Sequence, residues 1–333
     1  MARRPVSLAL VGAGAIGQVH ARTVAQHLPG ARLAAVVDPD AGRAQQAAAV
    51  ADGAAAMESA GPALREPAID AVVIAAPTHV HADLIIEAAR NGKHVFCEKP
   101  LALTLGDARR AVDAVTAAGV HLQIGFQRRF DAGYRRAKDA IARGELGRVE
   151  LLASTTRDPA PPRPGYLECC GGVFLDTSIH DFDSIRFLAD DEVSEVYATA
   201  STLVTPERGG AFDLDTVAVV LRLRSGALAT VTNSLRTGYG YEAGAEVFGS
   251  RGKITVHGAE DGVRHYREGH VAVAHPQTWR ERFGEAYRAE LADFVRCVAE
   301  GRPPSVDGKD GLRALEVALA ATQSQREGRP VRL

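Results

Sequence analysis

The length, composition and charge of the chain exclude several classes of protein. Its 333 residues exceed what one hydrophobic core usually organises, so two domains are expected. A formal net charge of -2 offers no basic field to nucleic acid or acidic lipid, and a small molecule is the expected partner. No apolar run reaches membrane-spanning length, and 4 cysteines without C-x-x-C spacing predict neither a disulfide framework nor a metal site. The predicted location is the reducing cytoplasm, away from any membrane.

Short apolar runs alternate with longer amphipathic segments in the first part of the chain. Such alternation predicts parallel strands joined by crossover helices, because parallel neighbours need a long connection. The predicted fold class is α/β, with an N-terminal Rossmann domain over residues 1–124 built on a doubly wound parallel sheet. Its predicted strands are residues 6–11, 33–37, 71–75, 94–97 and 120–126.

A glycine motif, Gly12-Ala13-Gly14-Ala15-Ile16-Gly17, follows the first predicted strand and opens a helix. Its first glycine permits a tight turn, the second lets the backbone approach a pyrophosphate, and the third allows close packing of helix and strand. Asp38 ends the second strand, where a carboxylate can bind both ribose hydroxyls. The alternative is a tight turn followed by a helix-capping aspartate. The predicted cofactor contacts here are Gly12, Gly14, Ala15, Ile16, Gly17 and Asp38.

Asp38 also predicts which nicotinamide cofactor is used. Its negative charge repels a 2′-phosphate, and Pro39, Asp40 and Ala41 follow it in place of an arginine. NAD is therefore favoured over NADP, although Arg43 is near enough to keep NADP use open.

Two further loops follow strands, Ala75-Ala76-Pro77-Thr78-His79-Val80-His81 and Glu98-Lys99-Pro100-Leu101. Ligands of an open parallel sheet bind beyond the carboxyl ends of its strands, so both loops are expected to face the cofactor. Lys99 is well placed for chemistry, since Pro100 fixes its loop. The two histidines are more often helix-start or loop residues. The predicted cofactor contacts are Ala76, Thr78, His81, Glu98 and Lys99.

The pattern changes after Gly125, and residues 125–333 are predicted to form a second α/β domain with a large, mainly antiparallel open sheet. The alternating run that turns at Ser225-Gly226 predicts a hairpin. The predicted helices are residues 130–143, 283–300 and 308–327, and the predicted strands are residues 149–156, 193–204, 216–224 and 227–233.

A fourth motif runs from Gly171 to Asp183 and leads into an amphipathic helix. Ser178-x-x-Asp181 fits a capping box at its start. Asp176 and His180, four residues apart, can then point the same way, and the helix dipole and the carboxylate together make the imidazole a base suited to neutral pH. The alternative is that Asp176 caps the helix and His180 is a satisfied, half-buried side chain.

These motifs together resemble the glucose-fructose oxidoreductase, inositol dehydrogenase and rhizopine-catabolism superfamily, over essentially the whole chain. The motifs that carry the resemblance are Gly-x-Gly-x-x-Gly, Ala-Pro-Thr-His-x-x-His, Glu-Lys-Pro-Leu-Ala and Gly-Gly-Val-Phe-x-Asp-x-x-x-His. The stretches at residues 157–162, 177–183, 238–242 and 246–252 are most similar to inositol 2-dehydrogenases. Residues 235–237 and 243–245 depart from that pattern. This departure leaves open which polyol is the substrate, but it does not affect the predicted hydride chemistry.

The resemblance implies a catalytic triad of Lys99, Asp176 and His180. In it, His180 takes a hydroxyl proton while hydride leaves the same carbon for nicotinamide, and Lys99 steadies the developing alkoxide. It also implies a neutral polyol or sugar as substrate and a homotetramer assembled through the second-domain sheet. The implied substrate contacts are Lys99, Arg129, Asp158, Asp176, His180 and Tyr239.

Three functions compete on this basis. The first is oxidation of a secondary hydroxyl of a cyclic polyol, most of all inositol, or of a related sugar. The second is an NAD-retaining glycosidase of the same superfamily, which shows no net cofactor turnover. The third is a regulator that has lost catalysis, against which the intact Lys99, Asp176 and His180 argue.

Overall fold

The computed structural model describes residues 4–208, 210, 212–257 and 264–333. The chain divides into two compact units. The first comprises Met1–Gln127 and Glu285–Leu315, and the second comprises Arg128–Gly284 and Glu316–Leu333. The chain passes between the units twice more after residue 128, within its last two helices.

The first unit contains six strands paired in parallel. They are β1 (Val6–Val11), β2 (Ala31–Val37), β3 (Ala55–Met57), β4 (Ala71–Ile74), β5 (His94–Glu98) and β6 (Leu122–Gly125).

The order of these strands across the sheet is β3-β2-β1-β4-β5-β6. This is the order of a doubly wound dinucleotide-binding sheet, which reverses direction between β1 and β4. The predicted Rossmann fold is therefore confirmed. The short strand β3 was not predicted, because three residues are too few to show an alternation.

Helices connect the strands of the first unit. Two of them begin at side-chain caps: Asp40 accepts from the amide of Arg43, and Thr104 accepts from the amide of Asp107. Within the described part of the chain, no helix combines the length and apolar character needed to span a bilayer. The helices are α1 (Ala15–His27), α2 (Ala41–Ala48), α3 (Ala60–Arg65), α4 (His81–Arg90) and α5 (Leu105–Ala118).

The second unit is built on a mixed sheet of seven strands, and the strand pair Arg264–Arg267 (β13) and His270–Val273 (β14) lies apart from it. The seven strands are β7 (Val149–Arg157), β8 (Val193–Ser201), β9 (Thr216–Leu223), β10 (Leu228–Ser234), β11 (Glu242–Gly249), β12 (Gly252–Val256) and β15 (Val331–Arg332).

The order across this sheet is β12-β11-β7-β10-β9-β8-β15, and only the β7–β10 pair is parallel among these neighbours. The mainly antiparallel sheet and the β9–β10 hairpin are thus confirmed. Gly226 occupies the turn with φ +92°, which favours glycine. The helices of the remaining chain are α6 (Ala132–Ala142), α7 (Tyr166–Cys170), α8 (Ile179–Ala189), α9 (Trp279–Glu300) and α10 (Gly308–Glu327).

Most of α9, from Glu285 onward, belongs to the first unit, although residues 125–333 are predicted to form the second domain. Leu291 and Phe294 lie in the same buried cluster as Leu8 and Phe96 of the parallel sheet. The rings of Phe96 and Phe294 meet edge to face with centroids 5.9 Å apart. Burial of this apolar face against the sheet explains why residues 285–315 join the first unit.

Candidate active site

The glycine turn between β1 and α1 is closely packed at two glycines and open at the third. Gly12 has φ +98°, and a Cβ there would overlap the Ala75 carbonyl. A Cβ on Gly17 would overlap the Gly12 carbonyl, whereas no atom of the described residues lies within 4 Å of the Cβ position of Gly14. The two outer glycines therefore allow strand and helix to pack, and the open side at Gly14 gives a pyrophosphate room to approach the α1 amides.

Asp38 lies beside this turn with a nearly buried side chain. Its Oδ2 accepts from the Ala13 amide at 2.8 Å, and its Oδ1 accepts from Arg43 Nε at 3.1 Å and Nη2 at 3.0 Å. Burial alone would raise the pKa of Asp38, but the Ala13 and Asp40 amides and Arg43 together lower it. The residues present fit a dinucleotide: an ionised carboxylate for ribose hydroxyls stands next to an open, amide-lined turn.

Replacing Asp38 by Ser is expected to raise the KM for NAD and to improve the ratio of NADP to NAD use. The change removes the acceptor for both ribose hydroxyls and the charge that repels a 2′-phosphate. Steady-state kinetics with both cofactors measures the KM for NAD and the ratio of NADP to NAD use. Asp40→Ser is the matched control, because it removes a charge two residues away and keeps a capping side chain at α2. A wild type that clearly prefers NADP would contradict the role of Asp38.

His81 at the start of α4 joins the two loops that follow β4 and β5. The ring is 1% exposed; Nε2 lies 2.8 Å from the Ala76 carbonyl oxygen and Nδ1 lies 2.8 Å from that of Pro100. Burial lowers the pKa of His81, while both carbonyls oppose that shift. Both ring nitrogens are engaged, so a role of His81 in cofactor binding would pass through the loops it joins. Thr78 is buried and His79 is exposed.

Glu98 and Lys99 end β5 with different orientations. Glu98 is 7% exposed and its Oε1 lies 2.7 Å from Nε2 of His20 on α1, so this side chain points into the unit. A contact of Glu98 with the cofactor would therefore use its backbone. Lys99 is partly exposed at the carboxyl end of the strand, the edge at which open α/β sheets bind their ligands.

In the second unit, Asp176 and His180 lie on one continuous helical run. A single π-helical turn, Phe174–Ser178, leads directly into α8. Asp176 and His180 are partly exposed, while Leu175, Thr177 and Ile179 beside them are buried. The run therefore presents a carboxylate and an imidazole on its exposed side. Single π-helical turns often mark functional sites, because the extra residue re-aims side chains.

The predicted capping box at Ser178 and Asp181 is wrong. Ser178 has helical backbone angles and makes no side-chain cap, because the helix has already begun one turn earlier. Its hydroxyl donates instead to Oδ1 of Asn233 on β10 at 2.6 Å. His180 thus lies within a continuing helix, and the expectation that a free helix N-terminus acts on its imidazole no longer applies.

Asp181 holds this helical run to strands β7 and β10 of the second-unit sheet. Its carboxylate, fully buried, accepts from Arg128 Nη1 at 2.7 Å, Ser154 Oγ at 2.6 Å and Asn233 Nδ2 at 2.7 Å. Thr156 Oγ1 donates to it as well, at 2.8 Å. Burial alone would lower the pKa of Arg128, but the charge of Asp181 raises it. Since Asp181 follows His180 directly, these bonds fix the backbone that carries the candidate base.

Tyr166 on α7 is a further candidate site residue, which the sequence motifs do not reveal. The charge of Asp176 is the largest influence that raises the pKa of its hydroxyl, followed by burial and Cys170, and Asp158 contributes too. Asp158 and Asp176 therefore lie near the same hydroxyl, which brings a predicted substrate contact towards a predicted catalytic residue. A tyrosine in a short segment beside a double glycine carries no periodic signal by which it could be found.

Two predicted substrate contacts have partners within the second unit. Arg129 donates from Nε and Nη2 to Asp183 at 2.8 and 2.6 Å, and its guanidinium lies over the Phe187 ring. Tyr239 is 52% exposed, and its hydroxyl donates to Glu242. The structure thus gives Arg129 an ion pair, while Tyr239 remains accessible. Their contact with substrate stays a prediction.

Comparison with known proteins identifies the family. Residues 6–126 match the Gfo/Idh/MocA family described as an oxidoreductase family with an NAD-binding Rossmann fold, and residues 138–333 match that family's C-terminal alpha/beta domain. The chain belongs to this oxidoreductase family. Its cofactor is NAD, and the parallel sheet of the first unit is the NAD-binding fold.

Named relatives of this oxidoreductase cover nearly its whole length. It is 39% identical over 332 residues to a myo-inositol 2-dehydrogenase of Thermotoga maritima, with 98% of each chain covered. It is 38% identical to a scyllo-inositol 2-dehydrogenase (NAD(+)) of Bacillus subtilis, with 98% of this chain and 96% of the relative covered. A solved myo-inositol dehydrogenase of Lactobacillus casei, in complex with NAD(H) and myo-inositol, matches with a TM-score of 0.90 at 28% identity. The match covers 99% of this chain and 97% of that one.

The departures at residues 243–245 have a packing explanation in this oxidoreductase. Ala243 is 0% and Ala245 9% exposed, so both side chains face the core. A Cβ on Gly244 would lie 2.7 Å from the Val256 carbonyl of the neighbouring strand β12. Small residues here permit close approach of β11 and β12, and these positions do not argue against an inositol substrate.

Proposed function

We propose that this oxidoreductase uses NAD to oxidise a secondary hydroxyl of an inositol to a ketone. The observation that carries the proposal is the partly exposed pair of Asp176 and His180 on the π-helical run, which the buried Asp181 network holds to the sheet. A general base needs a fixed position and an accessible ring, and this run supplies both. The relatives named above, which are myo- and scyllo-inositol dehydrogenases, support the choice of substrate.

The chain's own residues supply proton transfer and positioning. The glycine turn and Asp38 would hold NAD, which would supply the hydride acceptor. His180 takes the proton of the reacting hydroxyl, and Asp176 stabilises the imidazolium that forms. Lys99 donates a hydrogen bond to the reacting oxygen as negative charge develops on it. These roles remain proposals that variants at each position test.

Charge balance around α8 supports an uncharged ligand. The adjacent Arg128 and Arg129 pair with Asp181 at 2.7 Å and Asp183 at 2.6 Å, so neither guanidinium is available as a clamp for a phosphate or carboxylate. Asp158 and Tyr239 add an acceptor and a hydroxyl suited to a ring of neutral hydroxyl groups. A site of this kind discriminates strongly against analogues that lack those hydroxyls.

A substrate panel tests the proposal directly. The protein is assayed for NADH formation with myo-inositol, scyllo-inositol, glucose, deoxy-inositols and phosphorylated sugars. At least one neutral inositol is expected to react well, deoxy-inositols poorly and phosphosugars hardly at all. Efficient turnover of phosphosugars with failure of every neutral polyol would contradict the substrate. Release of sugar from glycosides at constant NADH absorbance would indicate the glycosidase instead.

We also propose that the second-unit sheet mediates a homotetramer. Large apolar side chains stand exposed on neighbouring strands of one face, and a contiguous exposed patch of this kind marks an interaction surface. Tyr197 pairs in register with Val220, and Leu151 with both Leu228 and Phe248. The side chains are 40–48% exposed. The mass of the protein in solution, measured by light scattering, tests this assembly.

The cellular location stays a prediction as well. Cys97 and Cys297 are buried free thiols, as is usual for proteins of reducing compartments. We therefore propose a cytoplasmic enzyme.

A further inference from the structure

The first unit contains a buried polar cluster that the reaction does not use directly. It comprises His20 on α1, Glu98 at the end of β5 and Glu290 on α9, which are 1%, 7% and 0% exposed. Nε2 of His20 lies 2.7 Å from Oε1 of Glu98. One ring nitrogen of His20 and one carboxyl oxygen of each glutamate all lie within 4.8 Å of one another. Two carboxyl groups therefore share one small, buried site at the end of the strand that leads to Lys99.

Glu290 is the unusual member of this cluster. Both of its carboxyl oxygens are buried and accept no hydrogen bond from a donor among the described residues, while its backbone carbonyl accepts from Gln123 Nε2 at 2.9 Å. A buried charge without a partner is strongly disfavoured, and two carboxyl groups in one site do not both ionise. Burial, followed by the nearby charge of Glu98, raises the pKa of Glu290 well above its ordinary value.

The hydrogen bonding of His20 locates the remaining proton. Its Nδ1 is buried with no hydrogen-bond partner in the part of the chain that the structure describes, so the neutral ring with hydrogen on Nε2 leaves no buried N–H unsatisfied. That ring donates to Glu98 and carries no charge that could neutralise a second carboxylate. Tyr287 packs against the ring from α9 with centroids 6.1 Å apart.

Two further titratable groups are influenced by the charge of Glu98. From β5, the buried thiol of Cys97 is kept neutral because burial, with the charge of Glu98, raises its pKa. From α4, buried His81 feels the charge of Glu98, and Lys99 follows Glu98 in the chain. From β6, Gln123 contributes an amide and no charge. The negative charge of the cluster is therefore best placed on Glu98 and the proton on Glu290.

We propose that Glu290 is a neutral carboxylic acid that donates its proton in a hydrogen bond to Glu98, and that this bond positions the end of β5 that carries Lys99. Glu98 then accepts from His20 on one side and from Glu290 on the other, which fixes its side chain between two helices. Glu290 is a positioning residue that never touches substrate. The part that concerns Lys99 rests on the proposed function; the protonation of Glu290 does not.

Thermal unfolding of the wild type and Glu290→Gln, from about pH 5 to 8, tests the protonation. Glutamine is neutral at every pH and keeps the size of the side chain. The wild-type carboxyl is protonated when folded and loses that proton when unfolding exposes it to water. Because the pKa of Glu290 is raised in the folded state, the wild-type protein loses stability as pH rises. Its unfolding equilibrium shifts towards unfolding by about tenfold per pH unit relative to Glu290→Gln. The Tm of Glu290→Gln minus the Tm of the wild type should therefore increase with pH.

Two other results would overturn the protonation. A difference in Tm that is constant across this pH range means that Glu290 is ionised in the folded protein. One equivalent of a divalent metal in the wild type, lost in Glu290→Gln, means that the cluster binds a cation. In support, the infrared spectrum of the wild type should show the carbonyl band of a protonated carboxylic acid that Glu290→Gln lacks.

A comparison of Glu290→Gln with Glu290→Leu tests the positioning of Lys99. Leucine removes the donor to Glu98, whereas the glutamine amide replaces it. We expect Glu290→Gln to retain a kcat at least about tenfold above that of Glu290→Leu, since small displacements of a catalytic group are costly. Equal kcat values, with the pH-dependent Tm difference present, would overturn the positioning and leave the protonated acid intact.

Discussion

Replacing His180 by alanine is expected to lower kcat by about 10²–10⁴-fold, the usual contribution of a general base. NAD affinity should stay nearly the same, because His180 lies in the second unit and the glycine turn and Asp38 lie in the first. Lys99→Ala should also lower kcat by orders of magnitude, because it removes the donor to the developing alkoxide. Steady-state kinetics and fluorescence titration with NADH measure the two quantities separately.

The control for the His180 variant is His27→Ala, an exposed histidine at the end of α1, which should behave like the wild type. Asp176→Asn should lower kcat less than His180→Ala, because it leaves the imidazole in place. A His180→Ala protein with near-normal turnover would leave the π-helical run as a structural motif only.

Asp181→Ala is expected to destabilise the protein by about 3–5 kcal/mol, because it leaves Arg128 charged, buried and without its partner. Arg128 is 1% and Asp181 0% exposed, so water cannot replace the lost hydrogen bonds. Chemical denaturation measures the free energy of unfolding. The same variant should lower kcat even where it remains folded, since the run that carries His180 loses its anchor to β7 and β10.

A surface ion pair provides the matched control for Asp181→Ala. Glu285 pairs with Arg288 at 2.6 Å, with side chains 87% and 42% exposed, and Glu285→Ala should cost at most about 1 kcal/mol. Replacing both buried partners, as in Arg128→Met with Asp181→Leu, should recover part of the lost stability, because no unpaired charge remains. Equal losses in Asp181→Ala and Glu285→Ala would show that the buried network is not the anchor described.

The chemistry of the first unit was predictable from sequence because its signals are local. The motif from Gly12 to Gly17 needs only a preceding strand and a following helix, and Asp38 needs only the end of the next strand. The topology then places all of them at one edge of the sheet. The position of Lys99 at the end of β5 was predictable for the same reason, because its strand and its proline are adjacent to it in sequence. Its catalytic role stays a prediction.

The errors and omissions depend on contacts between residues far apart in the chain. Ser178 and Asp181 fit a capping box by spacing, but their partners are Asn233, Arg128 and two residues of β7, which no local pattern reveals. Glu290 resembles an ordinary solvated glutamate. A usable signal existed, because it falls in the apolar stripe of α9 between Ala286 and Phe294, at helical spacing.

The discontinuity of the first unit has a consequence for how the protein is made. During synthesis, the strands that end at residue 125 emerge early, but Leu291 and Phe294, which cover Phe96 and its neighbours, emerge only after nearly the whole second unit. Domains generally fold as they leave the ribosome, yet this one stays incomplete and exposes its apolar sheet until residue 315 is available. A nascent chain stalled before that point should depend on chaperones, and a fragment ending at residue 127 should aggregate.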